Sequence, residues 1–252
     1  MPISAIEFTK LRRTNIALAV LHAGQAIAMI ALSKSRSLPV TGAFSTGPPG
    51  RPERPVVLET LFSYRLGWGV ALFMILSAVF HAIVASGWGF ARYQRELAAE
   101  RNRFRWVEYA LSSSVMIVLI AGITGMTDVA ALIALFGLNA SMILFGWLME
   151  ITSPRGANAR WTPFIFGCIA GVVPWLAVLV YLIGAGNGVP KFVYGIYVSI
   201  FFFFNCFALV QFKQYRARGK WSSYLRGERV YMVLSLVAKS LLAWQIFVNV
   251  LI

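Results

Sequence analysis

Charge is scarce in this chain. Only 13% of its 252 residues are Asp, Glu, Lys or Arg, against roughly a quarter in a soluble globular protein. Acids are scarcer still, nine against 23 bases. So few polar groups exclude an ordinary water-facing globule. Cysteine is limited to Cys168 and Cys206, both inside apolar runs. That excludes a disulfide framework, and the pair reads as core thiols. No internal repeat argues for a transporter made of duplicated halves. No Gly-rich anion cradle, no His-x-x-x-His or Cys pairing for a metal, and no nucleophile–base–orienter set is visible, so the reading is not an enzyme and holds no metal.

What is present is apolar length. The composition is 59% hydrophobic and the mean hydropathy is +0.72. Seven runs reach the roughly 20 residues that a helix needs to cross about 30 Å of hydrocarbon: Asn15–Leu32, Leu66–Phe90, Trp106–Thr124, Asp128–Met149, Thr162–Gly184, Val189–Phe212 and Val230–Ile252. The fold expected is all-α, a seven-transmembrane-helix bundle forming one domain over residues 1–252. The first run follows Lys10, Arg12 and Arg13 as in a signal peptide, but it is too long for one and no small-residue cleavage site follows, so it is read as retained. The low-complexity run Phe201–Phe204 suits a membrane helix.

The bases are distributed unevenly. Sixteen lie on one side, in the N-terminus, the second loop (Arg92 to Arg105), the fourth loop (Arg155, Arg160) and the sixth loop (Lys213 to Arg229). Six lie on the other: Lys34, Arg36, Arg51, Arg54, Arg65 and Lys191. The positive-inside rule then places the N-terminus in the cytoplasm and the C-terminus outside, in the cell membrane. This explains the net charge of +14 by membrane lipid rather than nucleic acid. The longest connection, residues 33–65, is then extracellular. Its Pro/Gly centre reads as a turn, and its flanks Val40–Phe44 and Val56–Phe62 are β-prone enough to pair as a hairpin.

Lys239 is the residue that this frame does not explain. It lies ten residues past Arg229, about 15 Å along a helix, which is mid-membrane and too deep for easy snorkelling. A central charge costs at least ~2.5 kcal/mol and marks function more often than tolerance. It needs a partner, and Glu108 is the acid expected inside the bundle at that depth; Glu150 and Asp128 stand at span ends. Polar pairs at helical spacing share faces with these two: Glu108 with Ser112, Ser235 with Lys239, Ser77 with His81, and His22 with Gln25. His22 and His81 fall within about two turns of the level of Lys239, which favours a shared, water-linked polar cavity over two packing residues.

A lysine in an apolar pocket is a nucleophile toward carbonyls. A Schiff base formed there stays protonated if Glu108 supplies the opposing charge. The aldehyde must itself be apolar, and retinal fits. Tyr109, Met116, Met142, Phe204 and Phe207 offer flat walls for a polyene, although each serves equally as ordinary packing.

With "SLVAKSLLAWQ" in the last helix, "EYALSSS" in the third, His22, His81 and a cytoplasmic N-terminus, the chain resembles the heliorhodopsins, microbial-type rhodopsins of inverted topology, over essentially its whole length. The resemblance implies all-trans retinal on Lys239 with Glu108 as counterion. Ser235 then takes the place of the second carboxylate of proton pumps and hydrogen-bonds near the Schiff base, as Ser112 or Ser77 would, with Ser113 beside them. It implies a cytoplasmic-side polar cavity of His22, Gln25 and His81, with Arg105 one turn before Glu108. Homodimers, a covering extracellular hairpin and slow photocycles suited to sensing are implied too. Pumps of this architecture also keep a carboxylate three turns beyond the counterion; here that position is Leu119. The function expected is therefore a light sensor that moves a proton into the polar cavity and signals to an unidentified cytoplasmic partner. The alternatives are a light-gated channel or passive transporter with the same pigment, and a retinal-free transporter relaying protons through Lys239 and Glu108.

Overall fold

The computed structural model describes residues 3–45, 47 and 56–252. Its helices are α1 (Ala5–Leu32), α2 (Leu66–Ala85), α3 (Gly87–Ala98), α4 (Arg103–Ile123), α5 (Val129–Thr152), α6 (Thr162–Gly184), α7 (Lys191–Arg216) and α8 (Tyr224–Ile246), the last continued by a π-helical turn, Phe247–Leu251. All except α3 are long and apolar enough to cross a membrane. They run alternately between a basic face, where α1 begins, and a face covered by a two-stranded hairpin. Among the seven, α4 is the most enclosed. Large apolar side chains on the other spans, such as Val20, Ile133, Val180 and Val233, are exposed. An inverted pattern of this kind is what lipid as solvent allows, because tails are as apolar as the side chains.

Several span boundaries differ from the sequence expectation; α8, for one, begins at Tyr224, six residues before the expected Val230. α1 starts at Ala5, ten residues before the expected Asn15, because Ser4 caps it by accepting from Glu7 N at 3.3 Å. The expected Leu66–Phe90 run is broken at Ser86, whose extended backbone ends α2 and whose hydroxyl accepts from Gly89 N to cap α3. A Cβ at Gly89 would collide with the Ile83 carbonyl, so glycine permits this sharp corner. α3 then lies at the basic face. Its Tyr93 and Leu97 pack with Leu11, Leu18, Val84, Tyr224 and Met232 and close that end of the bundle.

The hairpin pairs β1 (Ser37–Phe44) with β2 (Val57–Arg65), antiparallel, with a bulge between Val40 and Thr41. The Pro/Gly turn expected at its tip lies largely outside the described residues. Thr41 anchors the hairpin, its N–H donating to Thr127 O at 2.8 Å and its hydroxyl meeting that of Thr127 at 2.9 Å. Lys34 N donates to Leu251 O, tying the same face to the end of α8. Beneath the hairpin lies an apolar cluster in which Met29, Leu66, Phe73, Ile117, Ile120, Leu242 and Ile246 are fully enclosed. The cysteines correct an expectation. Cys168 is exposed on the bundle surface and Cys206 is half-buried, both as free thiols. Hydropathy locates a residue in a span but not on its inner face.

Candidate functional site

The site is built where the inward stripes of α4 and α8 face each other. On α8 the stripe runs Glu228, Tyr231, Ser235, Lys239, Leu242. On α4 it runs Arg105, Glu108, Ser112, Met116, Leu119. Steps of three and four residues keep each set on one side of its helix. α4 begins at Arg103, where Asn102 caps it by accepting from Arg105 N at 3.1 Å. Glu108 therefore sits in the second turn, inside the bundle.

Lys239 and Glu108 meet there, each about 4% exposed. Lys239 Nζ lies 2.6 Å from Glu108 Oε1 and donates to Ser77 Oγ at 2.7 Å. Ser77, on α2, donates in turn to Glu108 Oε1 at 2.7 Å. The three groups form a closed triangle drawn from three helices, with the ammonium 5.2 Å from the Tyr109 ring centroid. A buried pair of this kind holds only when its remaining lone pairs and protons are also satisfied, and Ser77 does that on one side.

On the other side of Lys239 lies a hollow lined by Tyr109, Ser112, Ser113, Met116, Met142, Ile143, Phe204, Phe207, Ser235 and Ala238. It adjoins a second one that shares Tyr109, Met142, Ile143, Phe204 and Phe207 and extends to Trp106, Cys168 and Gln211. The two open volumes are about 40 and 80 Å³, so a long polyene fits only as Met142, Phe204 and Phe207 move aside. Met142 is the most adaptable of the three. It packs against Gly171 of α6, where any side chain would strike its thioether, and unbranched methionine re-packs readily. Ser112 and Ser235 hydroxyls line the first hollow, buried and without a protein partner. Ser113 instead donates to Tyr109 O and accepts from Asn139. An amine facing an acid, apolar walls and two unpaired hydroxyls suit an apolar aldehyde better than a phosphorylated one.

Toward the basic face a separate cavity of about 40 Å³, room for a few waters, is lined among others by Asn15, His81, Tyr93, Asn102, Arg105, Glu108 and Glu228. His81 Nδ1 lies 2.7 Å from Asn15 Oδ1. Asn15 Nδ2 is committed to Leu11 O at 2.9 Å, so its oxygen can only accept, and the His81 proton is on Nδ1. His22 stacks parallel to His81 at 5.8 Å, with Nδ1 3.3 Å from Met74 Sδ and Nε2 buried without a partner.

Two expectations need correction here. Gln25 is not in this cavity; it accepts from Trp244 Nε1 at 3.1 Å at the bundle edge. Glu108 is not alone among buried acids, because Glu150 and Glu228 are also buried. Both pair with Arg105, Glu150 at 2.7 Å and Glu228 through a short contact. Arg105 therefore serves these two rather than Glu108. Asn102 N donates to Glu150, Asn102 Nδ2 to Glu228 and Tyr224 OH to Glu150, while Trp106 and Tyr231 flank the guanidinium at 4.5 and 4.2 Å. The signal for Asn15 was its place seven residues before His22 on one face. Glu228 offered none, since it stands among Arg226 and Arg229 like a loop residue. Among the described residues no three His, Cys, Asp or Glu side chains gather as a metal site.

No curated protein matches the chain. The heliorhodopsin family model matches residues 11–251, nearly all of the bundle that carries Lys239, Glu108 and the two histidines, and the chain belongs to the heliorhodopsin family.

Proposed function

We propose that the chain is a light-sensing receptor with all-trans retinal on Lys239 and Glu108 as the opposing charge, and that it signals rather than pumps. Family membership makes it a microbial rhodopsin-like photoreceptor with a retinal chromophore. The observation that carries the finer reading is the 2.6 Å approach of Lys239 Nζ to Glu108 Oε1 at the inner end of an apolar slot. Retinal, joined to Lys239 as a Schiff base, supplies visible absorption and a light-driven change of shape.

The protein's own groups do the rest. Glu108 stabilises positive charge at the Lys239 nitrogen. Ser77 bonds both and fixes their separation. Tyr109, Phe204 and Phe207 keep water from the slot, which strengthens the pair. The Ser112 and Ser235 hydroxyls are free to turn toward the nitrogen when it moves. His81 and His22 each hold their Nδ1 toward an acceptor, which leaves Nε2 able to take a proton on the basic side. Toward the hairpin, Leu119 is buried among Ile117, Ile120 and Met116, so an apolar side chain stands where a vectorial pump of this architecture keeps an acid. A change of charge near Glu108 then bears on the Arg105 network and the basic face, which the asymmetry of bases assigns to the cytoplasm. The signalling partner there is unidentified, and the native state is read as a homodimer.

A second reading, a light-gated channel or passive proton path, draws on the polar column from Glu108 through His81 to Glu228. Illumination under voltage clamp separates the two. The sensor reading expects a transient charge movement that decays to baseline; sustained photocurrent would overturn it.

A further inference from the structure

Between α1 and α8, at the basic face, a cleft of about 540 Å³ opens to the outside of the bundle. From the lysine inward, α1 contributes Lys10, Leu11, Arg13, Thr14 and Leu18, and α8 contributes Arg229, Met232, Val233 and Leu236. The charges are gathered at one end. Leu18 lies eight residues from Lys10 and Leu236 seven from Arg229, so an apolar trough runs about 10–12 Å deeper into the membrane. Arg229 is tied to Glu7, the acid on the rim. Arg12 points elsewhere, donating to Ala85 O at 2.9 Å and lying over Phe90. Lys10 and Arg13 are exposed, and neither forms an ion pair among the described residues.

We propose that this cleft is a binding site for one anionic phospholipid, its phosphate held by Lys10 and Arg13 and one acyl chain lying along Leu18, Met232 and Leu236. Annular lipid covers any membrane surface, but three features single out this position. Two cations lack protein partners. A recessed trough begins directly beneath them. The rim carries a net positive charge even with Glu7 counted. A basic pocket between helices at this depth has the chemistry of a headgroup site, and the lipid joins α1 to α8 where few side chains meet. The inference stands apart from the chromophore.

The test is native mass spectrometry of full-length protein, delipidated and then equilibrated with equal phosphatidylglycerol and phosphatidylcholine. The expected result is retention of one phosphatidylglycerol in preference to phosphatidylcholine. Lys10→Gln and Arg13→Gln each lower that retention about fivefold. The exposed loop pair Arg218→Gln with Lys220→Gln leaves it unchanged. Leu18→Trp, which fills the trough, lowers retention of either lipid, and excess glycerol phosphate does not displace the bound one. Equal losses from the α1 and loop variants, no headgroup preference, or displacement by glycerol phosphate would each overturn the site, the last by reducing it to a phosphate subsite.

Discussion

Arg105 illustrates what a single buried charge costs. It balances two acids, Glu150 and Glu228, in a setting where an ion left unpaired is penalised by about 3–5 kcal/mol. Arg105→Ala is therefore expected to lower the detergent Tm sharply. Arg103→Ala removes a pair with Glu96 whose guanidinium is open to water and is expected to cost no more than ~1 kcal/mol. Comparable melting shifts for the two would contradict the burial argument. At Glu108, substitution by Gln is expected to move the pigment band to the red or to lower the pH at which the pigment loses its proton, because the charged form loses its partner. An unchanged spectrum and titration would assign the counterion elsewhere. Lys239 and Glu108 were legible because a charge inside an apolar run has few structural explanations. Glu228 was not, since neighbouring arginines gave it the look of a solvated turn. Gln25 misled for a different reason: a three-residue step from His22 leaves it about 60° off the inward stripe, far enough to reach the bundle edge.

At the scale of elements, the seven spans and the hairpin followed from hydropathy and β-propensity, whereas the break at Ser86 did not. It depends on Gly89 approaching the Ile83 carbonyl, a contact that no composition window reports. The hairpin offers its own test. Burial pushes the Tyr64 phenol up to about 12, and its hydroxyl is enclosed without a partner. Its neutral form is thus favoured in the fold: that contribution is whole below pH 10, the unfolded phenol value, and fades as pH rises toward 12. Tyr64→Phe is expected to leave Tm unchanged or raised and to flatten its alkaline decline, read by melting between pH 9 and 12. A large destabilisation at neutral pH would mean that the hydroxyl has a partner. On α6, Gly171→Leu is expected to press Met142 into the slot and lower retinal regeneration several-fold while the helical signal persists; full regeneration would place the chromophore elsewhere.

The whole molecule has two unlike halves. The hairpin half is largely apolar, and the basic half contains the histidines, the small polar cavity and the Arg105 network. That division was partly legible, since the bases, both histidines and Leu119 stand in the sequence at countable depths. The mutual pairing of three helices through Arg105 needed the fold. Taken together, the halves set titratable side chains on the basic side of Lys239 and a mainly apolar cluster on the hairpin side. The most direct test of the central claim is borohydride reduction of the retinal-loaded protein in light, followed by peptide mass mapping. The account expects a retinyl mass increment on the peptide carrying Lys239, none on those carrying Lys10, Lys34, Lys191, Lys213 or Lys220, and no visible band in Lys239→Ala. A visible pigment whose reduced adduct maps to another lysine, or to none, would contradict it.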